Sequence, residues 1–320
     1  MKKLNMIAAC AALIAMVSCE SENVLTPQEN SIEKVEIPVP EARVIELPAM
    51  DKIDMPSVSS SRGETLTASL HMAEYLSADG AAAMGNTVFF NNRGNKQLGA
   101  DFVPGLQFLS DGTTDVTYYV DQNRPSNDMS VEASTMAING AMNTWDNVTC
   151  SELGMTEVPY DGRPTGLVAA FFGFGGSFNY VADVTHNGWM PAEFFEILEP
   201  GGSNFILGVT FTIIWQDANG NPVDTDNNGK VDVAWREIYY NDNFPWNIGS
   251  TFDVQTVALH EAGHGLSQAH FGKAFLSNGN GKVHFSPRAV MNASYSGVQT
   301  AIMQSDNAGH CSNWAQWPQK

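Results

Sequence analysis

Ser250-Thr-Phe-Asp253-Val254-Gln-Thr-Val257-Ala258-Leu-His260-Glu261-Ala-Gly263-His264-Gly265-Leu-Ser267-Gln268-Ala-His270 is the stretch on which the fold turns. Ser250 to about Gln268 predicts a helix. Ser250 and Asp253 make a capping-box-like start, and Val254, Val257 and Ala258 mark its apolar side. His260 and His264 stand four apart, so they leave one helical face about one turn apart and can share one zinc ion. Glu261 lies beside them, placed to act on a water without ligating the metal. If the helix ends near Gly265–Ser267, the chain can turn back and offer His270 as a third nitrogen. Three protein ligands suit an open, catalytic zinc site, whereas structural sites are usually closed with four. With this chain's His and Glu content, the full pattern arises by chance on the order of 10⁻⁴ times per chain.

Working outward, Asp115–Asp121 alternates and is rich in β-formers, so it reads as a strand. After it, Val131, Thr135, Ile138, Met142 and Trp145 repeat at helical spacing, with Ser130 as N-cap. Leu167–Phe178 reads as a strand followed by a tight loop. Phe205–Trp215 carries the strongest buried-strand pattern, and Val231–Tyr240 follows as another strand. Strands come first with one helix among them, then the histidine-bearing helix. The expected fold class is α+β with a mixed sheet.

The chain has 320 residues, enough for one large domain or two ordinary ones, and 43% are hydrophobic, which excludes a disordered chain. A net charge of -19 argues against nucleic acid as a partner. No internal repeat is visible, and no apolar run after the first twenty residues can span a bilayer. Lys2 and Lys3 precede the apolar run Leu4–Val17, which reads as a signal peptide over residues 1–18. Met16-Val17-Ser18-Cys19 resembles a bacterial lipobox, implying lipidation at Cys19 and a lipid-anchored protein of the cell envelope, in the outer membrane or at the cell surface. Residues 19–65, with five prolines, read as a tether or a propeptide, and the domain is expected over 66–320. The tether has no cysteine beyond Cys19 to block a metal. Cys150 and Cys311 remain as an expected disulfide.

At His260-Glu261-Ala-Gly-His264 and His270 the chain resembles the metzincin metallopeptidases. Ala289-Val-Met291-Asn-Ala-Ser-Tyr295 looks like the methionine turn of their matrixin branch. The resemblance covers about residues 110–320 and implies a zincin-like fold, with a mixed twisted sheet, an active-site helix and a C-terminal helix opened by Asp306. It also implies one catalytic zinc on His260, His264 and His270, Glu261 as general base, Met291 beneath the ligands and Tyr295 lining the substrate pocket. It further implies that Trp235–Asn241, with Ile238, Tyr239 and Tyr240, is the sheet edge along which a peptide lies; the other reading is an ordinary paired strand. Two positions depart from the family. Ser267 stands where a glycine makes the turn, so strain is expected there. Ala293 stands where proline is usual. The pattern for a second, structural zinc is missing, and His186, His284 and His310 are not read as ligands.

Asp224, Asp226, Asn228, Lys230 and Asp232, with Gly229 at the sixth position, match the start of a calcium loop. Trp235 stands where such a loop needs a bidentate Glu, and an Asx-rich β-turn explains the same composition. The leading expectation is a monomeric, envelope-tethered zinc endopeptidase acting on protein or peptide substrates, touching the membrane through its lipid only. The alternatives are a non-catalytic zinc-containing adhesin or scaffold, and a zinc hydrolase of a non-protein amide such as a cell-wall peptide.

Overall fold

A computed structural model describes residues 39–48, 55–59, 63–85, 96–106 and 114–319. The segment expected to be a signal peptide and Cys19 lie outside them. The strands are β1 (Glu41–Ala42), β2 (Ser57–Ser59), β3 (Thr65–Ser77), β4 (Ala83–Met84), β5 (Ala100–Asp101), β6 (Val116–Val120), β7 (Met155–Glu157), β8 (Val184–Met190), β9 (Ile206–Gln216), β10 (Val231–Asn241), β11 (Lys273–Leu276) and β12 (Val283–Ser286). The helices are α1 (Val131–Asp146), α2 (Leu167–Phe171), α3 (Ala192–Leu198), α4 (Val254–Gly265) and α5 (Gln304–Trp314). The fold is α+β.

One mixed sheet runs β2-β3-β9-β10-β8-β6-β7, with β5 also pairing β10. β10, β8, β6 and β7 are parallel, while β9 is antiparallel to β10 and β3 antiparallel to β9. Period-2 alternation divides the two faces. Val209, Phe211, Ile213 and Trp215 of β9 pack with Phe194 and Phe195 of α3. Ile238 and Tyr240 of β10 face the opposite core, with α1 and α4. α1 is held to α4 by the Trp145 indole N–H, which donates to the Leu259 carbonyl at 2.9 Å.

Four sequence expectations need correction. Leu167–Phe171 is helix, not strand. The buried Glu237 carboxylate accepts from the Leu167 and Val168 amides at 2.7 and 3.0 Å, anchoring a helix N-terminus from across the sheet. The histidine-bearing helix starts at Val254, because the Asp253 carboxylate caps it by accepting from Thr256 N at 2.8 Å; Ser250 does not. The ordered domain begins before Leu66: β1 pairs with β4, β2 pairs with β3, and Ile45 is buried in the core. Finally, Trp235–Asn241 is not a sheet edge. β10 lies between β9 and β8, and Ile238, Tyr239 and Tyr240 are wholly buried, so they cannot meet a substrate. The apolar strand Val231–Asn241 is buried on both faces, as interior strands are.

Cys150, just past α1, is bridged to Cys311 of α5 with Cα atoms 5.8 Å apart. The bridge joins residues 161 apart, so chain-entropy reasoning gives it about 5 kcal/mol.

Candidate metal centre

α4 places His260 and His264 on one face, and a turn at Ser267 brings His270 to them. The three Nε2 atoms stand 3.0, 3.0 and 3.1 Å from one another. The turn uses Ser267 in the left-handed region at φ 67°. The neighbours over-determine it. Ser267 N donates to His264 O, and its Oγ accepts from Arg236 Nη1 at 3.0 Å. Arg236, fully buried, also donates to the carbonyls of Gly265 and Ala100 and to Thr212 Oγ1. Burial pulls its pKa down to about 9, opposed by Asp101, and it remains a cation at neutral pH, set at the negative end of α4.

The imidazoles are oriented from behind. His260 Nδ1 lies 2.7 Å from Val290 O, and His264 Nδ1 lies 2.7 Å from Gln268 O. A carbonyl can only accept, so each Nδ1 carries the hydrogen and each Nε2 presents a lone pair. Burial holds both rings well below the ordinary histidine pKa, and their histidine neighbours add to this. Two of the three Nε2 atoms thus present lone pairs towards one point, where a cation can lie among them. Zinc bonds to imidazole at ~2.0–2.1 Å, which sets ligand nitrogens about 3.3 Å apart, close to what is seen. The residues therefore fit one zinc ion. His270 Nδ1 faces Glu74 Oε2 at 3.5 Å.

Met291 is fully buried against Gly263 of α4. A Cβ on Gly263 would strike its sulfur, so glycine there lets α4 approach the turn at Met291. The turn is held by Asp306 of α5, which accepts from the Val290 and Met291 amides at 3.0 and 3.1 Å. Glu261 is fully buried. Its Oε2 accepts from Thr210 Oγ1 at 2.6 Å, and its Oε1 accepts from Leu76 N at 3.2 Å. Burial pushes its carboxyl up to about 8. Positive charge held on the adjacent histidines would favour the carboxylate.

The structure thus brings together His260, His264, His270, Glu261, Met291 and Tyr295, whose ring lines a pocket with Leu76, Thr256, His260 and Val290. It separates Ile238, Tyr239 and Tyr240 from them. Thr210 and Leu76 are site residues that the sequence reading missed. Thr210 had a signal, because Gly208, Thr210 and Thr212 alternate with large apolar residues along β9. Leu76 had none. Larger clefts, of about 610 and 540 Å³, open beside Cys150 and Trp317 and beside Arg163 and Phe178, away from the histidines.

In the Asp224–Asp232 loop, Asp224, Asp226 and Asp232 come within 4.8 Å of one another. Asp224 accepts from the Asn228 and Gly229 amides, Asp232 accepts from Thr225, and the Lys230 ammonium meets Asp101. The loop's hydrogen bonds are those of an Asx-rich turn.

His186 and His310 lie outside the cluster. His186 Nδ1 meets Tyr240 OH at 2.7 Å, and His310 stacks on Trp145. Burial lowers them to about 3 and about 4 respectively. A depressed histidine contributes stability that is present above pH 6.5 and lost as pH falls towards the folded pKa. For His310 this amounts to about 3 kcal/mol. Metal-free protein should therefore lose stability to urea between pH 7 and pH 4.5. His310→Phe should flatten part of that slope; an unchanged slope would refute the assignment.

No protein-family model and no curated protein matches this chain.

Proposed function

We propose that this chain is a zinc-dependent peptide hydrolase of the metzincin, matrixin-like kind that its zinc motif resembles. The observation that carries the reading is the meeting of three imidazole Nε2 atoms, 3.0–3.1 Å from one another, beside a buried carboxyl group. A mixed sheet packed on α4, with Met291 against Gly263 between the two helical histidines, supports a zincin-like fold. His260, His264 and His270 would hold the ion, which supplies Lewis acidity towards a peptide carbonyl. Glu261 takes a proton from the attacking water and delivers it to the leaving nitrogen. Thr210 fixes the carboxylate by its hydrogen bond. Tyr295 and Val290 wall the pocket that receives a substrate side chain. The lipobox-like segment at Cys19 supports tethering to a bacterial envelope, with the monomer acting on peptides there.

The test is zinc content together with cleavage of a mixed-peptide library by the full chain. One zinc per chain with chelator-sensitive cleavage is expected. Stoichiometric zinc without cleavage of any peptide would favour a non-catalytic zinc module. That second reading draws on the burial of the cluster: no member of His260, Glu261, His264 and His270 is more than 1% exposed.

A further inference from the structure

That burial has a specific cause in the fold. Extended peptides dock on sheet edges through main-chain pairing. β9 is the antiparallel strand lying over α4, and its side away from β10 is taken by the chain's own β3. Tyr75 pairs with Val209, and Leu76 with Gly208. Immediately downstream the segment is gripped from the other side. Ser77 N donates to Ala293 O at 3.2 Å, and Tyr295 N donates to Ser77 O at 2.8 Å, a parallel bridge to the strip that follows Met291. Residues 65–77 are thus clamped by a strand on one side of Glu261 and by the methionine-turn strip on the other.

Between the two clamps the Leu76 amide nitrogen stands 3.2 Å from Glu261 Oε1. Leu76, 2% exposed, lines the pocket with His260, Val290 and Tyr295, which retains only about 10 Å³ of space. That is no more than one water needs. The chain then doubles back through β4, and Gly85 lies so close to His270 that a Cβ there would strike the imidazole. One peptide bond therefore has its nitrogen on the buried carboxylate, its following residue lining the adjacent pocket, and its flanking backbone paired on both sides.

Resting on the hydrolase reading, we propose that Tyr75–Leu76 is a substrate bond of this chain's own site, hydrolysed in cis. Water adds across it. The Tyr75 carbonyl carbon gains the hydroxyl and the C–N bond breaks. A proton of the water passes through Glu261 to the Leu76 nitrogen, leaving a Tyr75 carboxylate and a Leu76 amine. Until that bond is cut, an added peptide finds the β9 edge taken by β3 and the pocket beside it nearly closed. Cutting it releases Leu76 and Ser77 from β3 and opens the downstream half of the cleft.

The experiment uses the full chain, purified metal-free and then given zinc, with intact mass and N-terminal sequence followed in time. A new N-terminus at Leu76 is expected, appearing at a rate independent of protein concentration and absent in Glu261→Gln. Once self-cut, the chain should cleave the synthetic peptide spanning Leu70–Ala82 between Tyr75 and Leu76. Leu76→Asp should slow self-cleavage by more than about tenfold, because an unpaired carboxylate is costly to bury at this 2% exposed position. A readout free of zinc is amide hydrogen exchange in the metal-free chain. Leu76 and Ser77 should be protected, and Leu76→Asp should lose that protection. A chain that cleaves library peptides yet keeps Tyr75–Leu76 intact would overturn this proposal and leave the hydrolase reading standing. A zinc-loaded chain that cleaves neither itself nor any peptide would overturn both.

Discussion

Glu261→Gln is expected to lower peptide hydrolysis by about 10²- to 10⁴-fold, the range lost with a general acid–base group. Zinc content should stay at one per chain. Glutamine has nearly the same shape, and its amide oxygen can still accept from Leu76 N or Thr210 Oγ1, as Glu261 does. It cannot take a proton from water and return it to a leaving nitrogen. The histidines keep their own supports, Val290 O and Gln268 O, so ligation does not depend on residue 261. The check is kcat/KM on one peptide cut by the parent chain, with metal analysis of the same samples. Activity within a few fold of the parent would sink the mechanism. Loss of zinc would show instead that Glu261 is structural.

Arg236→Ala is expected to reduce stability by about 3–5 kcal/mol and to weaken zinc binding. The guanidinium is fully buried and donates to Thr212, Gly265, Ser267 and Ala100. Truncation strands the Gly265 and Ala100 carbonyls without that donor and opens a cavity between the sheet and the end of α4. Ser267 loses the hydrogen bond on its Oγ while remaining at positive φ, where a non-glycine residue is strained. The turn that presents His270 therefore loosens, and zinc affinity falls with it. Urea denaturation of metal-free protein would give the first effect, and competition against a chromophoric chelator the second. Adding Ser267→Gly to Arg236→Ala should recover part of the zinc affinity, because glycine takes the turn unaided. An Arg236→Ala chain with parental stability and affinity would show that the arginine does not hold the turn.

The elements were legible where local chemistry was enough. Ser130 caps α1 by accepting from Ala133 N, as its position before an apolar helical repeat implied. β6, β9 and β10 match the β-rich runs read from the sequence to within two residues at either end. The i, i+4 histidines on α4 needed only helical geometry. The strand expected at Leu167 failed because its helix depends on Glu237, 70 residues away, whose carboxylate meets its first amides.

The linear sequence by itself determined which side chains would face one another across one turn of helix, because helical spacing acts within a few residues. It also determined which two cysteines were left to pair. Only the tertiary structure decided where β10 lies in the sheet, since period-2 patterning tells buried from exposed but not which strand stands at the edge. It likewise decided that Ser267 could hold a left-handed turn, because the arginine bonded to it comes from a distant strand. The seating of Leu76 on Glu261 is of the same kind. It joins residues 185 apart by a backbone amide on a carboxylate, and the amide is brought there by β3–β9 main-chain pairing, which is common to all residue types and leaves no mark in the order of side chains.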